Sequence, residues 1–496
     1  MNLTVNREGG GICAGSTCAT FAFVYLMLAA FPVSADVRPA ALFTDGMVLQ
    51  QGIEVPVWGW ADDGEQVTVQ FGAQSAATVT RNGKWRVRLQ PLQATAIPGT
   101  LIVTGHNRIE ISDVAVGEVW VAAGQSNMQW PMSRTEHADA DIARAYSPAL
   151  RIFTVAGVRA DMPAASVRGQ WSHSSPDSVK DFSAVAWYFG RALQSSLRVP
   201  VGLILAAWGG SPIRSWMNDA AAPDVMRAAG LDSKPFELYN GMIAPLMPYA
   251  IRGVIWYQGE SNEARAWQYR TLLPGLITGW RREWGEGDFA FLLVQLPPWD
   301  RNRGRSLAQI AADPAGGEGS WAVLREAQLL STKLLPKVGM AVTTDAGDKD
   351  NLHPPRKRPV GERLALAARG IAYGEAIEFS GPVYRDVRFS DGKASISFTH
   401  TGTGLAAGSP GRSLELSTGD GQGLDGFTIA GEDRKFVRAR AIIRGERVEA
   451  GSPAVPAPTA VRYGWADYPL VNLYNSAGLP ASPFRTDDWP VSTQPD

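Results

Sequence analysis

Two short stretches of this chain carry the residue types of nucleophilic catalysis. Ser126 lies in Gly124-Gln125-Ser126-Asn127-Met128, and His353 follows three residues after Asp350 in Asp350-Asn351-Leu352-His353-Pro354. A serine oxygen becomes a good nucleophile when an adjacent base takes its proton. A carboxylate three residues before a histidine in a loop can hold one ring nitrogen while the other faces the serine. Two further stretches offer donors for a developing oxyanion. Trp208-Gly209-Gly210-Ser211 exposes the backbone N–H groups of Gly209 and Gly210, and Tyr257-Gln258-Gly259-Glu260-Ser261-Asn262 carries the side-chain amides of Gln258 and Asn262. Glu260 is either a costly carboxylate near the protein interior or a simple exposed one. Each stretch alone reads equally well as a helix cap, a tight turn or a surface loop. Together they make a nucleophile, a base, an orienting acid and two sets of oxyanion donors. The serine is not in a G-x-S-x-G elbow, because Met128 holds the fifth position. With five histidines in the chain, few bases compete. His106 and His400 fall in flanking β regions, and His137 and His173 lack a nearby patterned carboxylate.

The elements that must position these residues follow from apolar periodicity. Five apolar runs read as buried parallel strands: Glu118–Ala123, Val201–Ala207, Arg252–Tyr257, Phe289–Leu296 and Val338–Thr344. Helical spacing follows between them, as in Phe182, Val185, Phe189, Leu193 and Leu197, and again in Val360, Leu364, Ala367 and Ile371. Strand–helix alternation implies an α/β domain, a parallel sheet with helices on both faces. Ligands of such sheets bind beyond the carboxyl ends of the strands, and the four stretches above all fall there. Residues 36–113 read instead as short strands punctuated by Gly, Asp and Asn, a sandwich-like β-rich domain. Residues 375–496 have the same texture, leaving 114–374 as the catalytic domain. Arg301–Ser320 shows no periodicity and reads as a mobile loop.

Composition bounds the partners. Basic and acidic residues number 47 and 48, for a net charge of −1. Nothing in that balance favours nucleic acid or an anionic membrane as partner. Residues 1–35 read as a signal peptide: an apolar run Ala19–Phe31, then Val33-Ser34-Ala35. The run is short for a membrane span, which needs about 20 residues, although an uncleaved anchor is the alternative. Cleavage after Ala35 would remove both cysteines, Cys13 and Cys18, and with them any disulfide or thiolate chemistry. The expected address is secreted or periplasmic, with no membrane association once the signal is removed.

Longer blocks around these residues resemble the SGNH (GDSL-type) hydrolases, and more narrowly the sialate O-acetylesterase family and related carbohydrate acetylesterases. They are GEVWVAAGQSNMQWPM from Gly117, VGLILAAWGGSPIRSW from Val201, YNGMIAPLMPYAIRGVIWYQGESN from Tyr239 and DNLHPPRKRPVGERLA from Asp350. The opening from Pro39 resembles that family's leading β domain, and SPFRTDDWP resembles its tail. The resemblance implies a flavodoxin-like three-layer catalytic domain and a serine esterase that removes O-acetyl groups from sugars, with no metal or organic cofactor. It makes Ser126 the nucleophile, His353 the base and Asp350 the orienting acid. The oxyanion donors would be the backbone N–H of Ser126, that of Gly210 or Gly209, and a side-chain amide, Gln258 ahead of Asn262. Trp130, Arg214, Trp216, Tyr239 and Asn240 sit in or beside these blocks. They are candidate sugar contacts, Arg214 for a sialic acid carboxylate, and each is equally open to a packing role. The motifs do not separate sialic acids from acetylated xylan or xyloglucan. A non-catalytic carbohydrate-binding protein is the rival of another class, and intact Ser126, Asp350 and His353 argue against it.

Overall fold

The computed structural model describes residues 36–494, apart from 219–221, 232–235, 302, 314–318, 409–415 and 420. The expected signal peptide and both cysteines lie outside the described residues.

Seven strands form the central path of the main sheet. They are β1 (Arg108–Gly124), β2 (Ser147–Thr154), β3 (Trp171–Ser174), β4 (Val201–Ala207), β5 (Gly253–Tyr257), β6 (Ala290–Val294) and β7 (Val338–Ala341), in spatial order β3-β2-β4-β1-β5-β6-β7. All neighbours are parallel except β3, which runs antiparallel to β2 at the edge. β4, β5 and β6 are buried at every position, as strands covered on both faces must be. Register pairs Gly253 with Trp120, so Trp120 and Trp256 project to opposite faces. On one face Trp120 meets Phe189 of α2 (Ala184–Leu197). On the other, Trp256 meets Trp280 of α3 (Tyr269–Trp284). Two more helices, α4 (Ser320–Leu334) and α5 (Arg358–Ile371), pack against α3 and α2 respectively. The result is the three-layer α/β architecture expected of an SGNH-type hydrolase.

β1 has 17 residues and belongs to two layers. Its first half pairs antiparallel with Thr95–Thr104 in the N-terminal β region, and its second half sits at the centre of the parallel sheet. One hydrophobic core runs through both. The C-terminal strands have a second core of their own, built around Ile396, Phe427, Ile429, Val448, Val461 and Phe484.

The structure corrects one loop expectation. Within Arg301–Ser320, Leu307–Ala312 is helical, started by a capping box in which Ser306 and Gln309 each bond the other's backbone N–H.

Candidate active site

The turn that carries Ser126 is built by close backbone approach. Gly124, at the end of β1, has φ +140°, and a Cβ there would stand 2.1 Å from the Tyr257 carbonyl oxygen. Glycine alone meets both demands. Gln125 N–H then donates to that same carbonyl at 3.0 Å, and Trp208 N–H donates to the Gly124 carbonyl at 3.0 Å. The chain turns directly into α1 (Ser126–Gln129), putting Ser126 at a helix N-terminus, where the first N–H groups have no partner within the helix.

His353 reaches the serine from the loop after β7. Ser126 Oγ and His353 Nε2 lie 2.8 Å apart, a distance at which the hydroxyl donates to a neutral imidazole. Successive side chains shape the loop. Asp348 Oδ1 accepts from the N–H groups of Asp350 and Asn351, at 2.9 and 3.2 Å, and Asn351 Oδ1 accepts from His353 N–H at 2.9 Å. Burial, then the cation of Lys357, push the His353 imidazole below its ordinary pKa. Both effects favour the unprotonated base.

The structure does not bring Asp350 to His353. Its side chain is 68% exposed and its carboxylate pairs with Lys349, so the expected grip on the ring nitrogen is absent here. The reason is local: an ammonium one residue away competes for a solvated carboxylate. Carboxylates do face other histidines, His173 from Asp113 at 2.6 Å and His400 from Glu378 at 2.8 Å. The partner of His173 lies 60 residues away in sequence, where no local pattern could show it. Asp113 precedes Gly124 by roughly 35 Å of strand, far from the serine.

Among the oxyanion candidates, Gln258 is corrected. It is fully buried, its Nε2 donates to Gln125 Oε1, Ser211 O and Asn262 Oδ1, and its Oε1 accepts from the Tyr269 hydroxyl at 2.7 Å. Its donors are spent inside the fold. Asn262 has the opposite arrangement. Its Oδ1 accepts from Gln258 and from Ile213 N–H at 2.9 Å, which leaves Nδ2 without a hydrogen-bond partner among the described residues. Gly209 packs on Ser126, and its N–H holds the side-chain oxygen of the exposed Gln129 at 3.0 Å. Gly210, at φ +71°, turns outward with open space where a Cβ would be.

Three of the five expected sugar contacts are corrected to packing roles. Trp216 is fully buried, its Nε1 donating to Ser211 Oγ at 2.8 Å. Asn240 Nδ2 donates to the carbonyls of Ala160 and Asp161, and Tyr239 is buried with its hydroxyl near Met247 Sδ. Trp130 lies flat on the His353 ring, centroids 5.1 Å apart and planes 11° from parallel. Arg214 is half-buried on the short helix Ile213–Trp216 after β4.

Sequence reasoning missed the layer beneath the serine. Asn127 is fully buried and Lys357 is 1% exposed. Lys357 Nζ donates to Asn127 Oδ1, and Asn127 Nδ2 donates to Glu260 Oε1 at 2.6 Å and to the Leu352 carbonyl at 3.1 Å. Glu260 is thus the interior carboxylate, and burial pushes its carboxyl up. The one available signal was position, since Asn127 follows Ser126 and Lys357 stands four residues past His353. Among the described residues no group of three or more His, Cys, Asp or Glu side chains is placed to hold a metal ion.

Comparison with known proteins gives the family of the chain. Residues 116–369 match the family described as carbohydrate esterase, sialic acid-specific acetylesterase. The chain is 30% identical to the human sialate O-acetylesterase over 414 residues, covering 73% of this chain and 76% of that protein. It is 26% identical to the rat sialate O-acetylesterase, covering 90% and 94%. The crystal structure of a carbohydrate acetylesterase from Xanthomonas citri superposes with a TM-score of 0.82 at 38% identity, covering 92% of this chain and all of that one. A family match across half of its length, with relatives at this identity and coverage, means that the chain belongs to the sialic acid-specific acetylesterase family of carbohydrate esterases.

Proposed function

We propose that this carbohydrate O-acetylesterase works through an acetyl-enzyme on Ser126. The observation that carries the reading is the 2.8 Å contact between Ser126 Oγ and His353 Nε2 at the carboxyl ends of β1 and β7. His353 takes the serine proton as Oγ attacks the acetyl carbonyl. The carbonyl oxygen becomes an oxyanion facing the N–H of Ser126, the amide of Gly209 or Gly210, and Asn262 Nδ2. Gln129 releases the Gly209 N–H readily, being an exposed side chain. Collapse of the intermediate breaks the bond to the sugar oxygen, which takes the proton back from His353. Water then attacks the acetyl-enzyme with His353 again as base, releasing acetate and free Ser126.

Asp350 is assigned as the acid that orients His353 during turnover. An exposed pair such as Asp350–Lys349 has a typical worth of at most about 1 kcal/mol, so it yields easily to a charged imidazolium. Residues 1–35 are assigned as an export signal, and no described helix is long and apolar enough to cross a membrane.

The test is acetate release from O-acetylated sialic acid and from acetylated xylo-oligosaccharides, side by side. Release from at least one is expected, with Ser126→Ala lowering kcat by about 10⁴-fold or more. No release from either sugar, with an aryl acetate also untouched, overturns the reading.

A further inference from the structure

We infer that Lys357 is a positioning residue for this reaction: through Asn127 it ties the nucleophile turn to the histidine loop, and its buried ammonium disfavours a second positive charge on His353. The inference rests on Ser126 and His353 carrying the chemistry.

An ammonium taken out of water costs several kcal/mol unless partners replace its hydration, so its surroundings should be specific. They are. Nζ donates to Asn127 Oδ1 and lies 5.4 Å from the centroid of the Tyr257 ring and 5.7 Å from that of Trp130. Asn127 is a single amide set between a cation and an anion, accepting from Lys357 and donating to Glu260 Oε1. It also donates to the Leu352 carbonyl. Asn127 is next in sequence to Ser126, Leu352 is next to His353, and Glu260 comes from the turn after β5. One buried side chain therefore sets three active-site segments in register, and Lys357 fixes that side chain's orientation. Trp130 completes the link by lying flat on His353 while Lys357 sits over the same ring.

The other charges around His353 are engaged elsewhere. On its own loop Asp350 pairs with Lys349, and Asp348 accepts two backbone N–H groups. Asp345, after β7, pairs with Arg363 of α5 at 2.6 Å, and Glu136, after α1, lies 3.7 Å from Arg356. Glu260 accepts from Asn127, the amide that also bonds the Leu352 carbonyl beside His353. Arg134 also lies 5.7 Å from the Trp130 centroid, on the residues after α1, and Glu260 offsets part of the Lys357 charge through Asn127; Lys357 is still the cation that acts on the imidazole, in keeping with the depressed His353 pKa. Burial also pushes Lys357 down, to about 7, which leaves it cationic through the weakly acidic range where a histidine base would otherwise be lost. The device extends the base's working range toward lower pH.

The experiment is the pH profile of kcat/KM on an aryl acetate for wild type, Lys357→Met, Lys357→Arg and the double variant Lys357→Met/Glu260→Gln. Protonation of His353 sets the acid limb. Removing the cation raises that limb by about half a pH unit or more in Lys357→Met; the double variant also loses the Glu260 carboxylate and so shows a smaller rise in the same direction, while it leaves no buried carboxylate unpaired and guards against misfolding of the single variant. Lys357→Arg keeps the charge and returns the limb towards the wild-type position. A limb unmoved in whichever charge-removed variant folds, with only kcat lowered, overturns the inference and leaves Lys357 a packing residue. Failure of the underlying reading shows separately, as undiminished turnover in Ser126→Ala.

Discussion

At the scale of single residues, the catalytic roles depend on which donors the fold has already spent. Gln258 and Asn262 are both amides, four residues apart, yet among the described residues only Asn262 keeps its nitrogen without a partner. Asn262→Asp preserves the oxygen that accepts from Ile213 and Gln258, and replaces the free N–H donor with an acceptor. Steady-state kinetics should show kcat reduced by at least about 10², the cost of losing one oxyanion donor. Gln258→Leu instead strips several buried groups of partners, each worth about 1–3 kcal/mol, and should appear first as a lowered denaturation midpoint. Asp350→Asn should lower kcat by about 10²–10⁴, since the asparagine cannot stabilise an imidazolium, and a loss below tenfold would leave a Ser–His dyad. The meeting of Ser126 with His353 was readable in the sequence because nucleophilic chemistry demands particular residue types at strand ends. The free amide was not. It is decided by Ile213 and Tyr269, whose hydrogen bonds arise only when distant segments meet.

At the scale of elements, Ser126 is delivered by a turn that tolerates no side chain before it. Gly124 takes a backbone conformation that L-residues rarely adopt while pressed against the Tyr257 carbonyl. Gly124→Ala must therefore part β1 from β5 at their carboxyl ends, the point where Gln125 N–H also bonds that carbonyl. Activity should fall by at least about tenfold, as expected when reacting groups move by an ångström, with a lowered thermal midpoint by circular dichroism. Unchanged values of both would show that the turn relaxes freely. The strands β1, β4, β5, β6 and β7 were legible because strands covered on both faces are continuous apolar runs. β3, at one edge of the sheet, and its neighbour β2 were not. Ser147–Thr154 and Trp171–Ser174 mix buried with half-exposed and exposed positions, and β3 runs antiparallel, so neither carries the signal of a buried parallel strand. The short helix Leu307–Ala312 escaped for a related reason, having one buried side chain, Ile310, in six residues.

At the scale of the whole molecule, two hydrophobic cores are joined by buried polar contacts as well as by a few apolar ones, Trp465 and Val491 lying in the first core, and the polar part of that join predicts how the protein unfolds. The N-terminal β region shares the catalytic core through β1, whereas the C-terminal strands have their own. The join lies along α4. Arg325, fully buried, donates to the carbonyls of Leu296, Ala466 and Asp467 at 2.7, 2.7 and 2.9 Å, and Asp467 in turn accepts from Trp321 N–H and pairs with Arg303 at 2.8 Å. Glu326 pairs with Arg485, and Gln295 donates to Ser482 Oγ at 2.9 Å. A guanidinium with its fork filled by three carbonyls is a rigid clamp, and removing it strands those carbonyls away from water. Arg325→Met should cost about 3–5 kcal/mol, lowering the midpoint by roughly 3–5 °C for a chain of this size. It should also split the transition, because a unit with its own core melts separately once its interface weakens. Calorimetry of wild type and variant decides the matter: one cooperative transition becoming two supports the clamp. Two transitions already present in wild type, unmoved by the substitution, would mean that the C-terminal strands stand on their own core and that Arg325 holds only the end of β6.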